Sequence, residues 1–342
     1  MPINNIKSIL QIIHDTERVN REESKNQDGY SRDKAIIKQV FEKTSDDNIF
    51  DISTRLHLID GMYSTQMNKR YYAIDDIAEM LLNLQNQEKK RRKDCLAGAF
   101  RAFAQQPTEN MDRFIIGGKN IWGAGFGIDK ETGSDDNQDV AVSLISKYAY
   151  FLTDCKFPIF DSIAREVFPL LWGYAQLGRV PQLVSPRNGK LDGKETIKLF
   201  ILAINELLTN IYGECENYLD HYDPLDRLMW TTGKMLRGNF SLVLSKKEYK
   251  DWAQKVRNAF QQSACGDCGH KADERQQCRN RNTSVSTITC ANIRAKILRQ
   301  SVRKINRDTF KGVLEKQLEN RKTLLLSLYD LAVALAEIRD CN

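Results

Sequence analysis

"SLISKYAYFLTDCKFPIFDSIAREVF", residues 143–168, is the stretch that decides how this chain is read. Around Lys147 the apolar residues Leu144, Ala149, Phe151 and Leu152 predict a helix. "TDCKFP" breaks it. Pro158 disfavours the helical conformation at Phe157, so the chain arrives extended. Asp161 then stands where a second helix, "SIAREVF", begins. A carboxylate there gains hydrogen bonds from unpaired amides and the favourable end of the helix dipole. It is held rigidly and can face back toward the helix that carries Lys147.

Helical signals dominate outward from this stretch as well. Residues 32–42 space their apolar side chains at helical intervals. In 51–70, Asp51 and Ser53 are available as caps ahead of an apolar face of Leu56, Ile59 and Met62. "AIDDIAEMLLNL" (73–84) is amphipathic, with Asp75 and Asp76 in its first turn, and "QNQEKKRRKDC" reads as a charged loop or helix end. Residues 114–138 carry six of the nineteen glycines and read as one long loop. Helices are expected again at 139–152, 161–173, 196–219 and 224–236, with no βαβ rhythm and no internal repeat. The expected fold is all-α: a two-lobed helical core over 1–245, then a helical C-terminal extension over 246–342.

Hydrophobic residues make up 41% of the 342, enough to bury a core and to exclude global disorder. No apolar run approaches the roughly 20 residues that span a bilayer, so no membrane partner is expected. The first twenty residues do not read as a signal peptide. Eight scattered cysteines point to a reducing, cytoplasmic setting. The net charge of +6 permits a polyanionic partner.

The lysine and aspartate of 143–168 resemble those of the helix–hairpin–helix DNA glycosylase superfamily, typified by endonuclease III and the 8-oxoguanine DNA glycosylases. "FPIFDSIAR" stands where that family has a proline-containing segment whose aspartate opens a helix. The resemblance implies that Asp161 is the catalytic carboxylate and Lys147 the amine of the bifunctional members. "LHLIDGMYSTQMNKRY" (56–71) is similar to the family's motif that plugs the gap left by a flipped base, with Tyr63, Ser64, Gln66 and Asn68 as the matching DNA-binding positions. "DPLDRLMWTTGK" (223–234) looks like a late packing helix, so the likeness spans roughly 35–240. Two family features are missing: a glycine hairpin before Lys147, and a four-cysteine iron–sulfur spacing.

Breaking an N-glycosidic bond develops positive charge on the sugar, and a rigid carboxylate beside C1′ stabilises it. If the nucleophile is a lysine amine, a Schiff base follows and the strand can be cleaved by elimination. The target base must leave the stack, and Trp122, Phe126, Tyr148 and Phe160 are candidates to hold it. No cofactor is required for that chemistry. In the extension, Cys265, Cys268, Cys278 and Cys290 form a candidate structural zinc site, beside free thiols in a loop. Residues 291–322 hold ten basic and three acidic residues, and Arg294, Arg299, Arg303, Lys304 and Arg307 suit a phosphate backbone. The expected function is removal of a damaged or modified base from DNA, with or without lyase activity. The rival readings are a non-catalytic module that recognises modified or foreign DNA in phage defence, and a helical protein whose basic tail binds RNA or acidic partners.

Overall fold

The computed structural model describes residues 2–22, 29–63, 65, 67–92, 95–133, 139–179, 193–213, 218–244, 246–261, 307–314 and 319–341. Among them the fold is all-α, as expected. The helices are α1 (Pro2–Glu22), α2 (Gly29–Lys43), α3 (Ile49–Tyr63), α4 (Ala73–Arg92), α5 (Leu96–Gln105), the short α6 (Pro107–Asn110), α7 (Val142–Leu152), α8 (Ser162–Tyr174), α9 (Gly193–Tyr212), α10 (Tyr222–Leu236), α11 (Lys246–Gln261), α12 (Arg307–Val313) and α13 (Glu319–Cys341). The chain divides into two compact units, one of residues 1–13 and 31–229, the other of 14–30 and 230–342.

In the first unit, α3 packs on α4 and on α7. α7 is buried on every side, which is why its sequence is apolar almost throughout. Five rings, Phe100, Phe103, Phe114, Trp122 and Phe157, form the aromatic centre, with Trp122 and Phe157 stacked at 5.8 Å and nearly parallel. Phe157 immediately precedes Pro158, so this cluster anchors the segment that leads to Asp161. Arg55 of α3 is buried and ties down the α2–α3 connection. Its guanidinium donates to the Thr44 hydroxyl and carbonyl and to the Phe41 carbonyl, and it pairs with Asp46.

Two expectations are corrected and one is settled. Asp51 and Ser53 do not cap α3. The helix starts two residues earlier, and Asn48 caps it by accepting from the Phe50 amide at 2.9 Å, while the Asp51 carboxylate accepts from the Ser45 amide. Of the two readings of the charged stretch after residue 84, the helix end holds: α4 continues to Arg92, and its Glu88 is buried against Arg113. Residues 114–138 are not one long loop. They hold β2 (Ile115–Ile116) and β3 (Lys119–Asn120), which pair antiparallel, and β4 (Gly125–Phe126) and β5 (Ile128–Asp129), which pair with β6 (Asp139–Val140) and β1 (Arg70–Tyr71). Gly117 and Gly118, at φ 55° and 79°, make the two-residue turn between β2 and β3.

Gly127 fixes where this ribbon meets α4. At φ +71° its amide donates to Asp76, and an added Cβ would lie 2.6 Å from the Tyr71 carbonyl oxygen and 2.7 Å from the Ala73 Cβ. Gly127→Ala combines left-handed strain with overpacking against backbone. It should destabilise by roughly 3 kcal/mol, read as a fall in the urea midpoint. An unchanged midpoint would mean that the ribbon is not held against α4.

In the second unit α12 packs against α11 and α13. Phe240, Trp252, Phe310 and Tyr329 form a continuous ring cluster at its centre, in which Phe310 and Tyr329 stack. The leucines of the final helix, among them Leu324, Leu328 and Leu335, are buried there. Arg307 of the basic stretch pairs with Asp330 at 2.8 Å. No helix of the described residues is long and apolar enough to cross a membrane.

Candidate active site

The turn after α7 brings Asp161 back onto that helix. Asp154 and Cys155, at φ 55° and 66°, are two successive left-handed residues, and the Cys155 amide donates to the Tyr150 carbonyl at 2.6 Å. The chain then bends at Phe157 and runs without regular secondary structure through buried Phe157 and Ile159. Ser146 of α7 holds the last residue before the aspartate: its hydroxyl accepts from the Phe160 amide at 3.1 Å and donates to the Ser143 carbonyl at 3.1 Å.

Asp161 is the cap of α8, as its position in the sequence predicts. Its Oδ1 accepts from the amides of Ile163 and Ala164 at 2.9 and 3.0 Å. Its Oδ2 lies 3.1 Å from Lys147 Nζ. The two oxygens therefore have separate partners, which fixes the carboxylate in plane and in rotation. Lys147 Nζ also donates to the Ser143 hydroxyl at 2.9 Å and lies 5.5 Å from the centre of the Tyr63 ring. The pair is unequally open: the Asp161 side chain is 20% exposed and that of Lys147 is 2% exposed.

Burial alone would raise the Asp161 pKa. The Lys147 charge, the Ala164 amide and the remaining hydrogen bonds outweigh it and hold the carboxyl below its ordinary value. A second carboxylate, Asp223 of α10, behaves alike. Burial pushes it up, but the Lys34 charge and the Tyr150 hydroxyl, which donates at 2.5 Å, hold it down.

Both folded-state pKa values are depressed, so both carboxylates add stability above the ordinary aspartate pKa, and that stability is lost as pH falls through the folded values. The urea midpoint should therefore drop once pH falls below about 4. It should drop less steeply in Lys147→Met/Asp161→Asn, which lacks one of the two groups. Parallel pH curves for parent and double variant would remove this role from Asp161.

Of the residues read from the sequence, the structure brings Tyr63, Lys147 and Asp161 together. The four candidate pocket rings are not brought together. Trp122 is in the aromatic centre, and Phe126 lies in β4, where its carbonyl accepts from Arg70. Tyr148 packs on Phe41 at 5.4 Å, and Phe160 on Phe200 at 4.8 Å. All four are buried, because the aromatic residues nearest the pair in sequence are also those that fill the core around it. Ser64, Gln66, Arg294, Arg299, Arg303, Lys304, Cys265, Cys268, Cys278 and Cys290 lie outside the described residues, as does the Asn68 side chain. Among the described residues no group of three or more His, Cys, Asp or Glu could hold a metal ion.

Three residues of the site were not read from the sequence. Ser143 lies on the Lys147 face of α7, four positions before the lysine, and that helical spacing was its signal; Ser146 lies on a neighbouring face and meets the Phe160 amide instead. Asp60 of α3 is buried and accepts from the Thr65 hydroxyl and from the Met67 amide at 3.1 Å. It thus fixes the segment that follows Tyr63.

Comparison of the chain with family models, with curated proteins and with solved structures gives no match.

Proposed function

We propose that this chain is a DNA base-excision protein of the helix–hairpin–helix glycosylase kind, in which Asp161 is the carboxylate that faces the sugar. The observation that supports this is the pair itself: two residues singled out by their sequence context meet at 3.1 Å, with the carboxylate on the open side. A fixed, ionised Asp161 can stabilise the positive charge that builds at C1′ as the base departs, and can orient a water for attack. Lys147 lies on the buried side, where its charge and its hydrogen bond hold the carboxylate ready. This arrangement favours hydrolysis over a Schiff base, since the amine reaches the sugar only if the carboxylate moves aside.

A second reading follows from the burial of Lys147. The pair then serves only as a structural tie between α7 and α8, in a module that binds modified or foreign DNA without cutting the glycosidic bond. Base release from duplexes that carry varied lesions separates the two, with borohydride present in a parallel reaction. The glycosylase reading expects released base from the parent, none from Asp161→Asn, and no trapped protein–DNA adduct. An adduct lost in Lys147→Gln would instead make the lysine the nucleophile. Duplex binding without release, equal in parent and variant, would leave the binding module.

A further inference from the structure

Tyr71 and Tyr72 combine two features that a soluble chain ordinarily avoids. They are 53% and 65% exposed, and Tyr72 has a φ of 59°. A bulky side chain in the left-handed region is strained, and such strain persists only where the surroundings fix it. Here they do. Arg70 is buried and donates to the carbonyls of Phe126 and Gly127 at 3.0 and 3.2 Å. Arg70 pairs with Asp129 across β1–β5, and the Tyr72 carbonyl accepts the Asp76 amide at the start of α4. The close fit of Gly127 beneath the Tyr71 carbonyl completes the clamp. Both rings are thus presented outward on a rigid base.

We propose that Tyr71 and Tyr72 form a stacking platform for unpaired bases of a nucleic-acid strand. The ring centres are 6.4 Å apart and tilted by 49°, so each ring can offer a face to a different base. Lys130 Nζ lies over one face of the Tyr71 ring, 5.0 Å from its centre, so a base stacks on the other face; exposed Lys69 precedes the pair in the chain, and both ammonium groups suit a phosphate backbone. The nearby acids are partly occupied: Asp76 accepts from the Gly127 amide, and Asp129 accepts from the amides of Glu131 and Thr132. A protein partner fits less well. Charged Lys69, Asp75 and Asp76 flank the tyrosines in sequence and Lys130 lies over the Tyr71 ring, whereas the centre of a protein interface is depleted in charge.

The proposal shares with the base-excision reading only its nucleic-acid partner. Fluorescence anisotropy of a labelled oligothymidylate at low salt tests it, on a probe with no lesion to release. Tyr71→Ala/Tyr72→Ala should weaken binding about tenfold or more, and the double phenylalanine variant should bind as the parent does. Tyr72→Gly relieves the backbone strain, so it should weaken binding without lowering the thermal midpoint. Equal binding by parent and double alanine variant, or no binding by the parent, overturns the platform. So does a parent dimer in sedimentation that the double alanine variant abolishes, since the tyrosines would then meet a second copy. Binding that depends on the tyrosines, with no base released from any duplex, would keep the platform and remove the base-excision reading.

Discussion

Asp161→Asn should lower the free energy of unfolding by about 3–5 kcal/mol, because it leaves the Lys147 ammonium buried without its counter-charge. Asparagine can still accept from the helix amides, so the cap itself is largely kept. What is lost is the charge 3.1 Å from Nζ, and the Ser143 hydroxyl is the hydrogen-bond partner that remains. Lys147→Met should cost less, since Asp161 keeps two amide donors and partial access to water. The double variant Lys147→Met/Asp161→Asn should be more stable than Asp161→Asn alone, because an apolar side chain of similar length replaces an orphaned charge. Urea unfolding of the four proteins closes this cycle. Additive losses would mean that the two groups do not interact.

Arg55→Met should be of similar size, about 3–5 kcal/mol, for a different reason. Asp46 can turn toward water. The carbonyls of Phe41 and Thr44 lose donors at 3.0 and 2.6 Å, and the Thr44 hydroxyl loses one at 2.7 Å. The guanidinium also lies over the Phe41 ring at 4.5 Å, a contact that methionine replaces only in part. Arg55→Lys keeps the charge but not the planar fork, so it should rescue little. Thermal unfolding reads both, and a midpoint for Arg55→Lys equal to the parent's would show that charge, not geometry, holds the α2–α3 connection. Tyr63 closes the same helix that Arg55 anchors, so a loosened α3 should also loosen the ring beside Lys147.

The sequence-to-structure path was clearest where one physical rule dominates. Pro158 and the cap preference of aspartate place the start of α8 at Ser162. The helical spacing of Leu144, Ala149, Phe151 and Leu152 marks α7, although only the packed structure shows that the helix is buried all round. The pairing of Lys147 with Asp161 follows from a tight turn of two left-handed residues, Asp154 and Cys155, that no residue type announces. "IIGGKN" carried a hairpin signal, two glycines between apolar residues, which the high glycine content of the whole segment obscured. The aromatic residues were legible as large apolar groups, but whether a ring fills a core or lines a groove depends on distant segments. Phe160 meets Phe200 forty positions on. Asp60 and Ser146 do their work through backbone amides of neighbouring segments, a role that only coordinates display.

In the base-excision proposal, Asp161 lies within reach of an extruded nucleotide's sugar and answers positive charge there. Its most direct test is the affinity for two duplexes that differ at one position, a cationic pyrrolidine abasic analogue against its uncharged tetrahydrofuran counterpart. The parent should prefer the cationic site by tenfold or more, roughly 1.4 kcal/mol, and Asp161→Asn, compared where it is fully folded, should show no preference. A parent that binds both duplexes alike, or a preference that survives in Asp161→Asn, would show that this carboxylate does not face the sugar.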